Sequence, residues 1–155
     1  MMANVVPLTP MQPGLRSFIV YNDLPEGCIA FEVPDDKTLP HVRAGEFVVI
    51  DPTDCDPAEG ELFAITWKSD WRQKWQIVQM DLRCDRVRTG DVFEERSLWL
   101  VGHVAAQELV GADGEGDGRF QRRVDGPYED EYLRDITHGK IVGIYEPDFR
   151  LKLAA

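Results

Sequence analysis

Long apolar runs are the first thing this chain lacks. No window of its 155 residues approaches the roughly 20 apolar positions a helix needs to cross a bilayer, so no membrane partner is expected. The opening MMANVVPLTPMQPG has no basic stretch and is interrupted by Pro7, Pro10 and Pro13. It is not read as a signal peptide. Cysteine is scarce, and Cys28, Cys55 and Cys84 stand far apart without a Cys-x-x-Cys. That argues against a disulfide scaffold or a zinc ribbon and suits a reducing, cytoplasmic setting. Positive charge is in deficit: 17 Lys and Arg against 28 Asp and Glu leave a net charge of −11. Such a surface opposes a phosphate backbone, which binds proteins mainly through Lys and Arg. With no helix-turn-helix pattern and no basic stripe, direct nucleic-acid binding is not expected. The acidity suits solubility, or a partner with a basic surface. Neither a sustained 3.6-residue periodicity nor an internal repeat is present.

What remains is a series of short apolar segments separated by turn residues, the pattern of a mostly-β domain with little helix and a curled or partly closed sheet. Residues 1–15 read as an extended arm, because three prolines forbid a regular helix, and 16–155 as one domain. Strands are expected at Ser17–Tyr21, Cys28–Val33, 46–51, Glu61–Lys68, Gln73–Arg83, Ser97–Val104 and Ile136–Tyr145. Glu61–Lys68 is apolar nearly throughout, which predicts burial on both faces. Gln73–Arg83 alternates, with Trp75, Ile77 and Gln79 on one side and Gln76, Val78 and Met80 on the other. Hairpin tips fall at 69–72 and 88–91, and Gly102 marks a bulge or a close approach. Residues 111–130, rich in Gly and acidic side chains, break the pattern and are read as a mobile insertion.

The segment VPDDKTLPHVRAGEFVVID, Val33–Asp51, organises the rest. It leaves one strand, passes through a polar loop with two prolines, reverses at Ala44-Gly45 and enters a new strand. Gly45 supplies a positive φ without a Cβ penalty. This segment resembles the catalytic loop of LexA-repressor-like, self-cleaving serine–lysine peptidases, whose pattern is Val-x-Gly-Asp-Ser-Met-x-Pro, a spacer, Gly-Asp and an apolar strand ending in Asp. Val33, Asp36 and Pro40 fit that pattern, as do the pair Gly45-Glu46 and the strand Val48–Asp51. Together with the closing strand, the resemblance covers about 28–82 and 136–147. It implies the partly closed LexA/signal-peptidase-like β-barrel, homodimerisation, and a regulatory role in bacterial or phage transcription or stress response.

The chemistry of the family is what this chain departs from. Lys37 stands at the nucleophilic serine position and Thr38 at the methionine. The general-base lysine lies in a Val-Lys-Arg-Leu stretch matched here by Ile77–Met80, with Gln79 taken at the lysine position. Glutamine takes up no proton at neutral pH, so it cannot activate a hydroxyl. The Ala-Gly or Cys-Gly bond that such proteins cut does not occur before residue 37. The expectation is a catalytically inactive LexA-like module for protein interaction or dimerisation, with no cofactor and no catalytic residue. Two alternatives stand beside it. One is a peptidase using Thr38 with Lys37 as base. The other is a small-ligand site in the former cleft, lined by Asp35, Asp36, Lys37, His41 and Gln79.

Other constellations are weaker. Asp113, Glu115 and Asp117 with Gly118 resemble the start of a calcium loop, but Val124 stands where the bidentate Glu belongs, and no metal is expected. His41, His103 and His138 lie in separate elements. Arg119, Arg122 and Arg123 form the one basic cluster and are read as salt-bridged. Trp71, at a hairpin tip, and Trp75 beyond it are the candidates for a contact surface.

Overall fold

The computed structural model of the chain describes residues 17–147; the expected arm, 1–15, lies outside the described residues. Eight strands follow in order: β1 (Ile19–Tyr21), β2 (Ile29–Glu32), β3 (Phe47–Asp51), β4 (Leu62–Ile65), β5 (Gln76–Thr89), β6 (Val92–Val110), β7 (Gly116–Tyr128) and β8 (Thr137–Tyr145). The single helix among the described residues, α1, spans Asp130–Ile136 just before β8. The protein is mostly β, as its turn-separated apolar segments predict.

All strands share one sheet, in the order β2-β3-β8-β4-β5-β6-β7. β8 is its spine. One side of β8 pairs with β3 at residues 140–145, and the other takes β4 at residues 137–140 and β1 at residues 143–145. The β1–β8 ladder is parallel and every other ladder is antiparallel. No ladder joins the outer strands β2 and β7 among the described residues, so the expected partial closure corrects to an open sheet.

Both faces of the central strands are buried. Leu62, Ala64 and Ile77 pack with Val33, Val42, Val48, Ile50 and Ile141 on one side. Phe63, Ile65, Val78 and Met80 pack with Trp99, Val101 and α1 residues Leu133 and Ile136 on the other. This arrangement explains why β4 reads as an unbroken apolar run. The first core is covered by loop 33–46 and β3; the second is capped by α1. Asp130 and Glu131 sit in the first helical turn, favourable against the helix dipole, and the Trp99 indole N–H donates to the Asp130 carboxylate.

β6 changes partners along its length. Residues 92–102 pair with β5, and 99–110 with β7, so two long two-stranded ribbons diverge from the core. The turn at Gly90-Asp91 closes the first; residues 111–115 close the second, with Gly111 N–H donating to Glu115 O at 2.9 Å. The stretch read as a mobile insertion therefore holds a 13-residue strand. Its many Gly and charged residues hid the alternation, because neither face of that ribbon has a core to bury against. Gly102 sits where the exchange happens. A Cβ there would run into the backbone of Arg123 and lie 2.9 Å from Val124 Cα, so β6 and β7 can cross this closely only with glycine at 102.

Candidate functional site

Loop 33–46 is held at both ends and at its middle. Gly45, at φ +87°, donates its N–H to Val33 O at 2.9 Å, and Val33 N–H donates to Glu46 O at 2.8 Å. This closure fulfils the reading of Gly45 as the reversal point. Inside the loop the Asp35 carboxylate accepts from Lys37 N–H at 3.0 Å and Asp36 from Ala44 N–H at 2.9 Å. These are the local side-chain-to-backbone bonds that make Asp a loop former. Val33 and Val42 anchor the loop in the first core. Ala105 N–H donates to Lys37 O at 2.9 Å, fastening the loop's crest to β6.

That fastening lies just beyond Gln79↔Gly102, where the β5–β6 ladder ends. Between the loop crest and the diverging strands lies a polar cleft of about 360 Å³. Lys37, Gln76, Val78, His103, Arg123, Asp125 and Tyr128 line it, together with Trp67 and Ser69. The strand registers place Gln76 and Val78 on the β5 face that meets Val101 and His103 of β6.

The sequence-predicted site residues separate in this geometry. Lys37 lines the cleft, its ammonium 3.9 Å from the Asp35 carboxylate and both side chains nearly half exposed. Thr38 is 2% exposed and is not among the lining residues. Asp36 is engaged with the Ala44 N–H outside the cleft. His41 packs edge-on against Phe18, ring centroids 6.2 Å apart. Gln79 has the opposite strand parity to Gln76 and Val78, and its amide donates to Asp81 at 2.9 Å. Within Ile77–Met80 it is Val78 that faces Lys37 across the cleft, and its side chain carries no titratable group.

His103, Arg123, Tyr128 and Gln76 were missed. His103 carried a readable signal, since it is in phase with the buried Trp99 and Val101, a polar residue on the apolar side of a strand. Of the basic cluster, Arg119 pairs with Asp117 at 2.6 Å and Arg122 with Asp81 at 3.4 Å, as expected, whereas Arg123 lines the cleft. Burial pushes the His103 imidazole below its usual pKa, helped by the charges of Lys37 and Arg123 and opposed by Asp35 and Asp125. Burial, with Asp125 beside it, pushes the Tyr128 phenol up. At neutral pH the cleft therefore presents a neutral imidazole and a protonated phenol beside Lys37, Arg123 and Asp125. The Nδ1 atom of His103 is buried with no hydrogen-bond partner among the described residues.

The two tryptophans also diverge. Trp71 is 83% exposed at its turn, with the Arg72 guanidinium 5.1 Å from the ring centre. Trp75 stacks on His138 at 3.9 Å and contacts Phe31 at 5.5 Å, so it belongs to the structure of the sheet face more than to a free surface. Among the described residues no group of three or more His, Cys, Asp or Glu comes together as a metal site, and the Asp113 and Asp117 carboxylates accept from nearby backbone N–H groups. Among the described residues no helix is long and apolar enough to cross a membrane. Comparison of the chain with protein-family models, with curated proteins and with solved structures gives no match.

Proposed function

We propose that this chain is a catalytically inactive domain of LexA-like type that acts through protein contacts, first of all with a second copy of itself. The observation that carries the reading is the pair of ribbons built by β6. A two-stranded ribbon with no core behind it is marginal in water by itself, and these two present large apolar side chains. Phe93 is 61% exposed near one tip and Phe120 64% exposed on the other ribbon, with Val92 and Val110 beside them. Exposed apolar groups of this size away from the core are the mark of a contact surface. β7 is moreover a long outer strand, and its open edge is a ready template for an added antiparallel strand.

Three features support the inactive part of the reading. The residue at the nucleophile position is Lys37, the adjacent Thr38 hydroxyl lies away from the cleft, and Val78 faces Lys37 where a base would be needed. A regulatory role in transcription or stress response, and the curled LexA-like form of the sheet, rest on the loop resemblance.

Sedimentation equilibrium over a range of concentrations tests the proposal. The wild type is expected at twice the chain mass and Phe120→Glu at the chain mass, with tryptophan fluorescence unchanged. A wild type that stays monomeric throughout rejects self-association. Incubation near pH 10, where a lysine begins to lose its proton, tests inactivity: the chain should stay whole, and a discrete internal cut would return the peptidase reading.

A further inference from the structure

The cleft beside loop 33–46 has a composition that self-association does not use. We propose that it is a binding site for a small oxyanion, a carboxylate or phosphate group, gripped by the Lys37 ammonium, the Arg123 guanidinium and the His103 imidazole. Three observations converge on it. Three nitrogen-bearing side chains from three different elements, loop 33–46, β6 and β7, line one concavity of about 360 Å³. That volume is within the range of small-molecule sites. Next, Arg123 differs from its neighbours Arg119 and Arg122: each of those holds a carboxylate, whereas no ion pair holds Arg123 among the described residues. Lastly, His103 Nδ1 is buried without a partner. A buried polar atom without a partner is unfavourable, and it marks the His103 ring as a part of the wall whose hydrogen bonding is incomplete.

The remaining wall suits the same ligand. Ser69, Gln76 and Tyr128 add hydroxyl and amide donors, and burial keeps the Tyr128 phenol protonated and able to donate. The Lys37–Asp35 pair is at the outer limit of an ion pair and nearly half exposed, so it is weak and open to exchange. Asp125, which also lines the cleft, limits the positive field, which favours a single oxyanion group over a polyphosphate. Binding next to His103 opposes the effect of Lys37 and Arg123 on the imidazole. With Asp35 and Asp125 as the other charges nearby, its proton affinity should rise when the site is filled.

The experiment is an NMR titration of the histidine ring signals with acetate, with inorganic phosphate and with sodium chloride at matched ionic strength. A saturable shift of His103, with His41 and His138 unmoved, is expected with one or both oxyanions. Saturation by acetate alone assigns a carboxylate ligand, by phosphate alone a phosphate. Lys37→Gln and Arg123→Gln, both exposed positions, should each weaken binding about tenfold and lessen the rise in the His103 pKa. The proposal is overturned by no saturable shift with either anion, by an equal shift with chloride, or by undiminished affinity in both variants.

Discussion

Replacing Gly102 by alanine tests the crossing of the two ribbons and the wall of the cleft together. The added Cβ would lie 2.9 Å from Val124 Cα and nearer still to the Arg123 carbonyl oxygen, against a comfortable separation of roughly 3.5–4.0 Å. Both obstacles are backbone, so no rotamer change relieves them, and β7 must move outward by about 1 Å. Forcing a methyl group into a packed site costs about 1–3 kcal/mol, and the stiffer unfolded chain recovers less than about 1 kcal/mol of that. The expected net loss is about 2 kcal/mol, or roughly 4–8 °C in Tm for a domain of this size. Gly45→Ala is the control. Its φ of +87° disfavours a side chain, but nothing lies within 4 Å of the new Cβ, so the loss should be about 1 kcal/mol. Urea unfolding followed by tryptophan fluorescence measures both, since Trp99 is buried three residues from Gly102. Because Arg123 is carried on the displaced strand, Gly102→Ala should also weaken oxyanion binding while Gly45→Ala leaves Arg123 in place. A Gly102→Ala protein with the wild-type midpoint, or one more stable than Gly45→Ala, would refute the close-crossing argument.

Two further outcomes follow from the same geometry. His103 and His138 both have pKa values lowered from 6.5, each chiefly by burial, so below pH 6.5 the unfolded chain takes up protons that the folded chain does not. Their contribution to stability is full above 6.5 and is lost as the pH falls toward their folded values; a urea-midpoint profile should show this, and His103→Gln with His138→Gln should flatten it. Trp71→Ala should change stability by no more than about 0.5 kcal/mol, whereas Trp75→Ala, which removes the stack on His138 and the contact with Phe31, should cost about 2 kcal/mol or more in the same unfolding assay.

The strands with a core behind them were legible, and those without were not. Leu62–Ile65 announced burial on both faces because each face meets its own cluster. β5 and β6 run far beyond the segments expected for them, through Cys84–Thr89 and Val92–Arg96. There the register juxtaposes opposite charges, Asp85 with Arg96 and Arg86 with Glu95. Such pairing is a property of two strands at once, invisible when each is read alone. α1 escaped notice because seven residues are fewer than two full turns and leave no period to detect. Lys37 does line a cleft, but the β5 residue opposite it is one position away from the expected Gln79. In a strand that shift exchanges one face for the other, and it is the difference between Gln79 and Val78. His41 and Asp36 were drawn in by their nearness in sequence, whereas His103 and Arg123 arrive from strands more than sixty residues later.

The placement of β8 bears on how the molecule comes to be made. The strand that joins β3 to β4, and that receives β1, is the last of the described strands to be synthesised. Until it arrives, β2–β3 can pair as a hairpin and β4–β5–β6 as a three-stranded run, but no strand ladder joins the two halves, which meet through the first core and the Ala105–Lys37 hydrogen bond. Closing so many contacts between distant parts of the chain makes folding slow, and nascent halves with unpaired edges are prone to aggregation. A chain cut short before Thr137 would therefore hold two unjoined sheets and not a smaller version of this one.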